Sequence, residues 1–176
     1  MDNIKILLIV GVVVLIVIVS IYNSLVSSYK KVERSKSLVD IYLKKRFDLI
    51  PNLVETVKAY SKHEKETLET VTKLRTNYDS NGNVDDANKL NAYYNKCIAL
   101  IEAYPELKAS EGYLNLQKEL SKVESEIEAS RRIYSSDITR YNTKVQTFPT
   151  NIFAGIFGYK SLEPLSFETG DVKIEF

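Results

Sequence analysis

The chain has 176 residues, with 24 Lys and Arg against 23 Asp and Glu, one His, one Cys and no Trp. A formal charge of +1 creates no global field that would draw nucleic acid or a strongly acidic substrate. The lone Cys97 excludes an internal disulfide and a cysteine-based zinc site, and the length leaves room for one core beside an anchor.

Residues 6–29 carry no charged side chain, and residues 6–21 are almost wholly Val, Ile and Leu, broken only by Gly11 and Ser20. At roughly 1.5 Å per residue, such a helix crosses the roughly 30 Å hydrocarbon core and leaves Tyr22 and Asn23 near an interface. The run is too long for the apolar part of a cleaved leader, and no small-x-small pair follows it, so a signal anchor is expected. Lys5 stands alone before the span, whereas Lys30, Lys31, Arg34, Lys36, Lys44, Lys45 and Arg46 follow it. That bias predicts an N-terminus outside and the larger part in the cytoplasm. The cluster from Lys30 to Lys36 suits anionic headgroups.

From Leu25 the pattern turns helical, with Leu25, Tyr29, Val32, Lys36, Val39, Leu43 and Phe47 at intervals of three and four. The anchor helix is expected to run on into the soluble part. Pro51 then interrupts the pattern. Asp48 is placed to cap a new helix there, yet the phase continues through Leu53, Val54, Val57, Tyr60, Leu68, Val71, Leu74 and Tyr78. A turn and a kinked continuous helix both stay open. Residues 79–83 read as a loop, residues 84–103 as a helix, and residues 105–109 as a connector. Cys97, beside Ile98, Leu100 and Ile101, reads as a small buried hydrophobe. Ser110 caps a helix of about 37 residues that closes at Phe148-Pro149 and is expected to be the longest uninterrupted element.

The predicted fold is all-α: an anchor over residues 1–28, an up-and-down antiparallel four-helix bundle over 29–149, and an irregular aromatic tail over 150–176. The tail segment 151–159 is aromatic and glycine-containing and needs cover. Folding back on the bundle is favoured over docking on a membrane or a partner. Residues 167–176 alternate like an edge strand but read better as a mobile end.

Chemistry is sparse. His63-Glu64 resembles the start of a zinc-protease helix but lacks the second histidine. Glu64 with Glu69 and Glu124 with Glu128 lack the histidines of a bundle metal site, and the interleaved Lys62, Lys65 and Lys122 suggest a solvated, ion-paired face. There is no phosphate-binding glycine loop and no nucleophile with a base, so neither an enzyme nor a cofactor is expected. Arg46, Asp48, Glu55, Arg75 and Arg131 lie on or beside core-facing stripes, where charge must be paired or half-exposed. In the plainer reading Arg75 and Arg131 snorkel, and Arg46 pairs with Asp48 or with a carboxylate across the bundle. In the functional reading, the corner formed by Arg46, Asp48, Pro51 and Glu55 is a docking surface for a membrane partner.

Several segments together resemble the LemA family: Tyr22-Asn23-Ser24-Leu25-Val26, the run from Leu43-Lys44-Lys45-Arg46-Phe47-Asp48 through Leu49-Ile50-Pro51-Asn52-Leu53-Val54-Glu55-Thr56-Val57-Lys58, and Tyr60-Ser61-Lys62-His63-Glu64. Tyr104-Pro105-Glu106-Leu107-Lys108-Ala109, Leu116-Gln117-Lys118-Glu119-Leu120, Arg131-Arg132-Ile133-Tyr134-Ser135 and the run from Tyr141 to Pro149 extend the likeness. The chain departs from the family pattern at Tyr104, usually more simply apolar, and at Ser35 to Ser37, which are more polar than usual. The resemblance implies a bacterial single-span protein with an up-and-down four-helix bundle and no established activity or catalytic residues. It also implies company with HtpX-type proteases or TPM-domain proteins, with relatives among magnetosome membrane proteins. The expected function is a non-enzymatic adaptor for other membrane proteins, linked to their quality control. The alternative is a self-associating membrane scaffold, a homo-oligomer. Expected partners are therefore the lipid bilayer and other membrane proteins, with no nucleic acid. A third class, a cofactor-binding bundle enzyme, would carry bound metal or colour on purification.

Overall fold

The computed structural model describes residues 2–57, 64–81 and 84–163. These form six helices, with no strand among the described residues: α1 (Asp2–Val57), α2 (Glu64–Asn81), α3 (Val84–Ala103), α4 (Pro105–Lys108), α5 (Glu111–Gln146) and α6 (Thr150–Ile156). His63, Tyr60 and residues 167–176 lie outside the described residues.

At 56 residues α1 is the longest element, and α5 follows with 36, which corrects the expected order. The cause is Pro51, which sits inside α1 and does not end it. A proline in a helix interior costs about 3 kcal/mol through a lost hydrogen bond and a clash with the preceding turn. Ile50, Leu53, Val54 and Val57 are all buried on the same segment. Burying four such side chains is worth on the order of 6–12 kcal/mol, enough to offset the proline. Asp48 is accordingly a mid-helix residue and not the cap of a second helix. The first part of α1 has the opposite character: its large apolar side chains from Ile4 to Val17 stand exposed, and the helix is long and apolar enough to cross a membrane.

The other boundaries follow local chemistry. Residues 84–103 form α3 over the expected range. The connector at 105–109 holds a helical turn, α4, started by Pro105 and closed by Ala109 N–H donating to the Pro105 carbonyl at 3.0 Å. The Ser110 hydroxyl accepts from Tyr113 N–H at 3.3 Å, capping α5. After α6, Gly158 adopts a φ of 77°. Its N–H donates to the Gly155 carbonyl at 3.4 Å, and Tyr159 N–H donates to the Ala154 carbonyl at 2.9 Å. This pair of bonds is a Schellman ending, and the positive φ it demands is what glycine supplies without a Cβ penalty.

The chain divides into two compact units, one of residues 2–36 with 132–163 and one of residues 37–131. The second is built on Val39, Leu43, Phe47, Ile50 and Leu53 of α1, Val71 and Tyr78 of α2, Leu90 and Ile101 of α3, and Leu116, Leu120 and Ile127 of α5, all buried. Phe47 and Tyr78 meet edge to face, ring centroids 5.0 Å apart. The first is built on Leu25 and Val32 of α1, Tyr134, Ile138, Tyr141 and Val145 of α5, and Ala154 of α6. Spacings such as 134, 138, 141 and 145 are the three-four alternation of a helix seam. Ser35 is buried and returns its hydroxyl to its own helix, donating to the Lys31 carbonyl at 3.0 Å. Its polar character therefore leaves no unsatisfied hydroxyl in the core.

Candidate functional site

The second unit is organised around Arg46. Its guanidinium reaches α5, donating from Nη1 to Glu124 Oε1 at 3.0 Å, and reaches α3, donating from Nη2 to Asn91 Oδ1. The Tyr94 ring lies under it, 5.5 Å from Cζ to the centroid. The Arg46 side chain is 10% exposed and that of Glu124 is 40% exposed, so the pair is dry at one end and wet at the other. Arg46 thus takes a carboxylate from another helix rather than Asp48. Glu124 is a half-buried core partner, not part of a purely solvated face.

Asp48 pairs instead with Arg75 of α2, Oδ1 to Nη2 at 2.7 Å, with both side chains part-exposed. Arg75 of α2 therefore ends in an ion pair with α1 rather than snorkelling alone. Arg131 is part-buried, and burial pulls its guanidinium below the usual range. The nearby Arg46 charge adds to that shift and Glu124 opposes it. Burial also pushes the Tyr94 hydroxyl up, helped by Glu124 and opposed by Arg46.

Two helical turns separate Asp48 from Glu55, which places both on the outward face of α1. Glu55 is exposed, and Pro51 beside it is half-buried. Arg46 points the other way, into the unit. The four candidate residues therefore split: Asp48, Pro51 and Glu55 share a surface, and Arg46 anchors the helix behind it.

In the first unit the part-buried cation of α5 is held by hydroxyls. Lys144 of α5 donates to Ser24 Oγ at 2.9 Å and Ser28 Oγ at 2.6 Å on α1. The Tyr141 hydroxyl donates to the Lys160 carbonyl at 2.9 Å. Asn142 makes a reciprocal pair with Leu162, donating from Nδ2 to its carbonyl at 2.8 Å and accepting its N–H at 2.9 Å. The Tyr29 ring lies 5.7 Å from that of Tyr141 and 6.0 Å from that of Tyr159. Residues 159–162 are thereby held along α1 and α5 within this unit.

Cys97 is buried, and desolvation raises its thiol above the ordinary range. Among the described residues, no three His, Cys, Asp or Glu side chains gather as a metal site. Reading the sequence did not pair Arg46 with Glu124, although a signal was present. Glu124 stands between the buried Leu120 and Ile127 at spacings of four and three, on the seam of α5, where a carboxylate requires a cation. Lys144, three residues after the buried Tyr141 and adjacent to Val145, flanks the seam of the other unit and was also overlooked.

Comparison with known proteins covers most of the chain. The model of the LemA family matches residues 35–176. Protein LemA of Metamycoplasma hominis is 27% identical over 164 residues, covering 86% of this chain and 75% of its own length.

Proposed function

From the premise that this chain belongs to the LemA family, we propose that it is a non-enzymatic, single-span membrane protein whose helical part is an adaptor for other membrane proteins. The observation that carries the reading is α1 itself, one helix that joins an exposed apolar stretch to a unit with a buried, paired core. Such an element anchors the core to a bilayer through a helix whose backbone bonds are all internal. In this reading α1, α2, α3 and α5 form an up-and-down four-helix bundle on the cytoplasmic side, with the N-terminus outside. The Arg46 contacts to α3 and α5 and the Asp48 contact to α2 support that arrangement. The outward face with Asp48, Pro51 and Glu55 is the docking surface, and Arg46 holds it in place from behind. An HtpX-type protease or a TPM-domain protein is the partner the family resemblance suggests, in keeping with a role in membrane protein quality control.

Photocrosslinking in intact membranes from Asn52 and Glu55, both exposed on α1, tests the proposal. Adducts to a different membrane protein are expected, and they name it. Adducts to further copies of this chain alone would instead make it a self-associating scaffold.

A further inference from the structure

α6 presents an apolar stripe that none of the described residues of its unit covers. Phe148, just before the helix, is 75% exposed, Ile152 is 52% exposed and Ile156 is 70% exposed. Ile152 and Ile156 stand four residues apart on α6, while Ala154, about half a turn from both, is the buried side. No charged residue occurs from Thr147 to Tyr159. The stripe is also held in place. The Phe157 ring packs edge to face on Tyr22 at 5.0 Å, the Gly158 ending fixes the exit of the chain, and Tyr159 packs on Tyr29. Tyr22 is the residue that immediately follows the apolar run of α1.

We propose that Phe148, Ile152 and Ile156 form a second membrane contact, lying in the headgroup-to-acyl boundary of the same leaflet from which α1 emerges. The inference rests on the reading of α1 as a membrane span. Its ground is continuity: the Tyr22–Phe157 contact sets α6 at the depth where an aromatic residue ending a span sits, and there an exposed apolar helix face is buried at the headgroup-to-acyl boundary. The area argues against a second copy of the chain as the occupant. These side chains with Phe157 offer on the order of 450 Å², against roughly 800 Å² per partner in a stable protein interface. With α6 embedded, α1 is fixed in depth and rotation and does not act as a loose tether.

The absence of tryptophan makes the test direct. Full-length single-Trp proteins carrying Ile156→Trp, Val14→Trp, Asn151→Trp or Thr139→Trp are placed in vesicles of phosphatidylethanolamine and phosphatidylglycerol that contain lipids brominated at shallow or deep acyl positions. Ile156→Trp is expected to emit to the blue and to be quenched several-fold more by shallow than by deep bromines. Val14→Trp is expected to show the reverse, and Thr139→Trp no quenching. Weaker quenching of Asn151→Trp excludes tryptophan's own preference for interfaces as the cause. Ile156→Trp emission that matches Thr139→Trp overturns the proposal, and blue emission without quenching overturns it in favour of a protein cover. If Val14→Trp also escapes quenching, the span itself fails and the proposal with it. As a check that does not use tryptophan, nitroxide-labelled Ile152→Cys in a Cys97→Ala background is expected to be oxygen-accessible and nickel-chelate-protected, and nickel access would contradict it.

Discussion

The two units of the chain solve the same problem, a cation on a core-facing stripe, in different ways. In the unit of residues 37–131, Arg46 is met by a carboxylate, an amide and an aromatic face. In the unit of residues 2–36 and 132–163, Lys144 is met by the hydroxyls of Ser24 and Ser28, and the neighbouring bonds run to backbone carbonyls and tyrosine rings. A guanidinium is planar, stays ionised and forms directed bonds, so it suits a fixed ion pair across helices. An ammonium on a flexible stem can satisfy its donors on neutral oxygens. The contrast teaches where each unit is fragile: the first kind fails when a charge is orphaned, the second when several neutral bonds are lost together.

The largest expected effect comes from orphaning Arg46. Glu124→Leu leaves the buried guanidinium without its carboxylate and is expected to cost about 2–3 kcal/mol, discounted from the fully buried case because Glu124 is part-exposed. The double variant Arg46→Met with Glu124→Leu removes both charges and is expected to be more stable than Glu124→Leu alone. Urea titration of the detergent-solubilised protein checks both, and a double variant that is the weaker of the two would break the comparison. Next is Asn142→Ala, which removes both bonds to Leu162 and is expected to cost about 1–2 kcal/mol. Hydrogen exchange should show faster exchange at Leu162 without change at Leu120. Lys144→Met is expected to cost about 1 kcal/mol or less, because it orphans only two neutral hydroxyls that can turn to carbonyls of their own helix. A loss equal to that of Glu124→Leu would erase the distinction between the units.

The last effect is silent at neutral pH. Burial raises the hydroxyls of Tyr94, Tyr113 and Tyr141 and the thiol of Cys97 above their ordinary values. A raised folded-state value means full stability below the unfolded value, and loss as pH climbs toward the folded one. The protein should therefore hold its stability up to the ordinary thiol and phenol range of about pH 8.5–10 and lose it above. Thermal melts across that range check the direction, and a stability that rises with alkali would contradict it.

Composition alone made the exposed apolar stretch of α1 legible, and helical periodicity with a good cap made α3 and the start of α5 legible. Pro51 was not resolvable that way. Its local penalty argues for a break, and only the burial of Ile50, Leu53, Val54 and Val57 against other helices decides for continuity. The short α6 was hidden for a related reason: it ends at Ile156, and the residues that follow it, Phe157, Tyr159, Lys160 and Leu162, are held by Tyr22, Tyr29, Tyr141 and Asn142, which are distant in sequence. At the candidate site, Asp48 and Glu55 were read as lying together, which their spacing dictates. Arg46 joined them only by proximity in sequence, although a separation of two residues puts it on the other side of a helix.

The central claim is that α1 crosses a bilayer once and leaves the helical part on the cytoplasmic side. Alkaline carbonate extraction of membranes, combined with protease access to tags at Met1 and Phe176, tests it most directly. The account predicts a protein that stays in the pellet, with the Met1 tag cleaved from outside and the Phe176 tag protected. Release into the carbonate supernatant, or a Phe176 tag cleaved from outside, would contradict it.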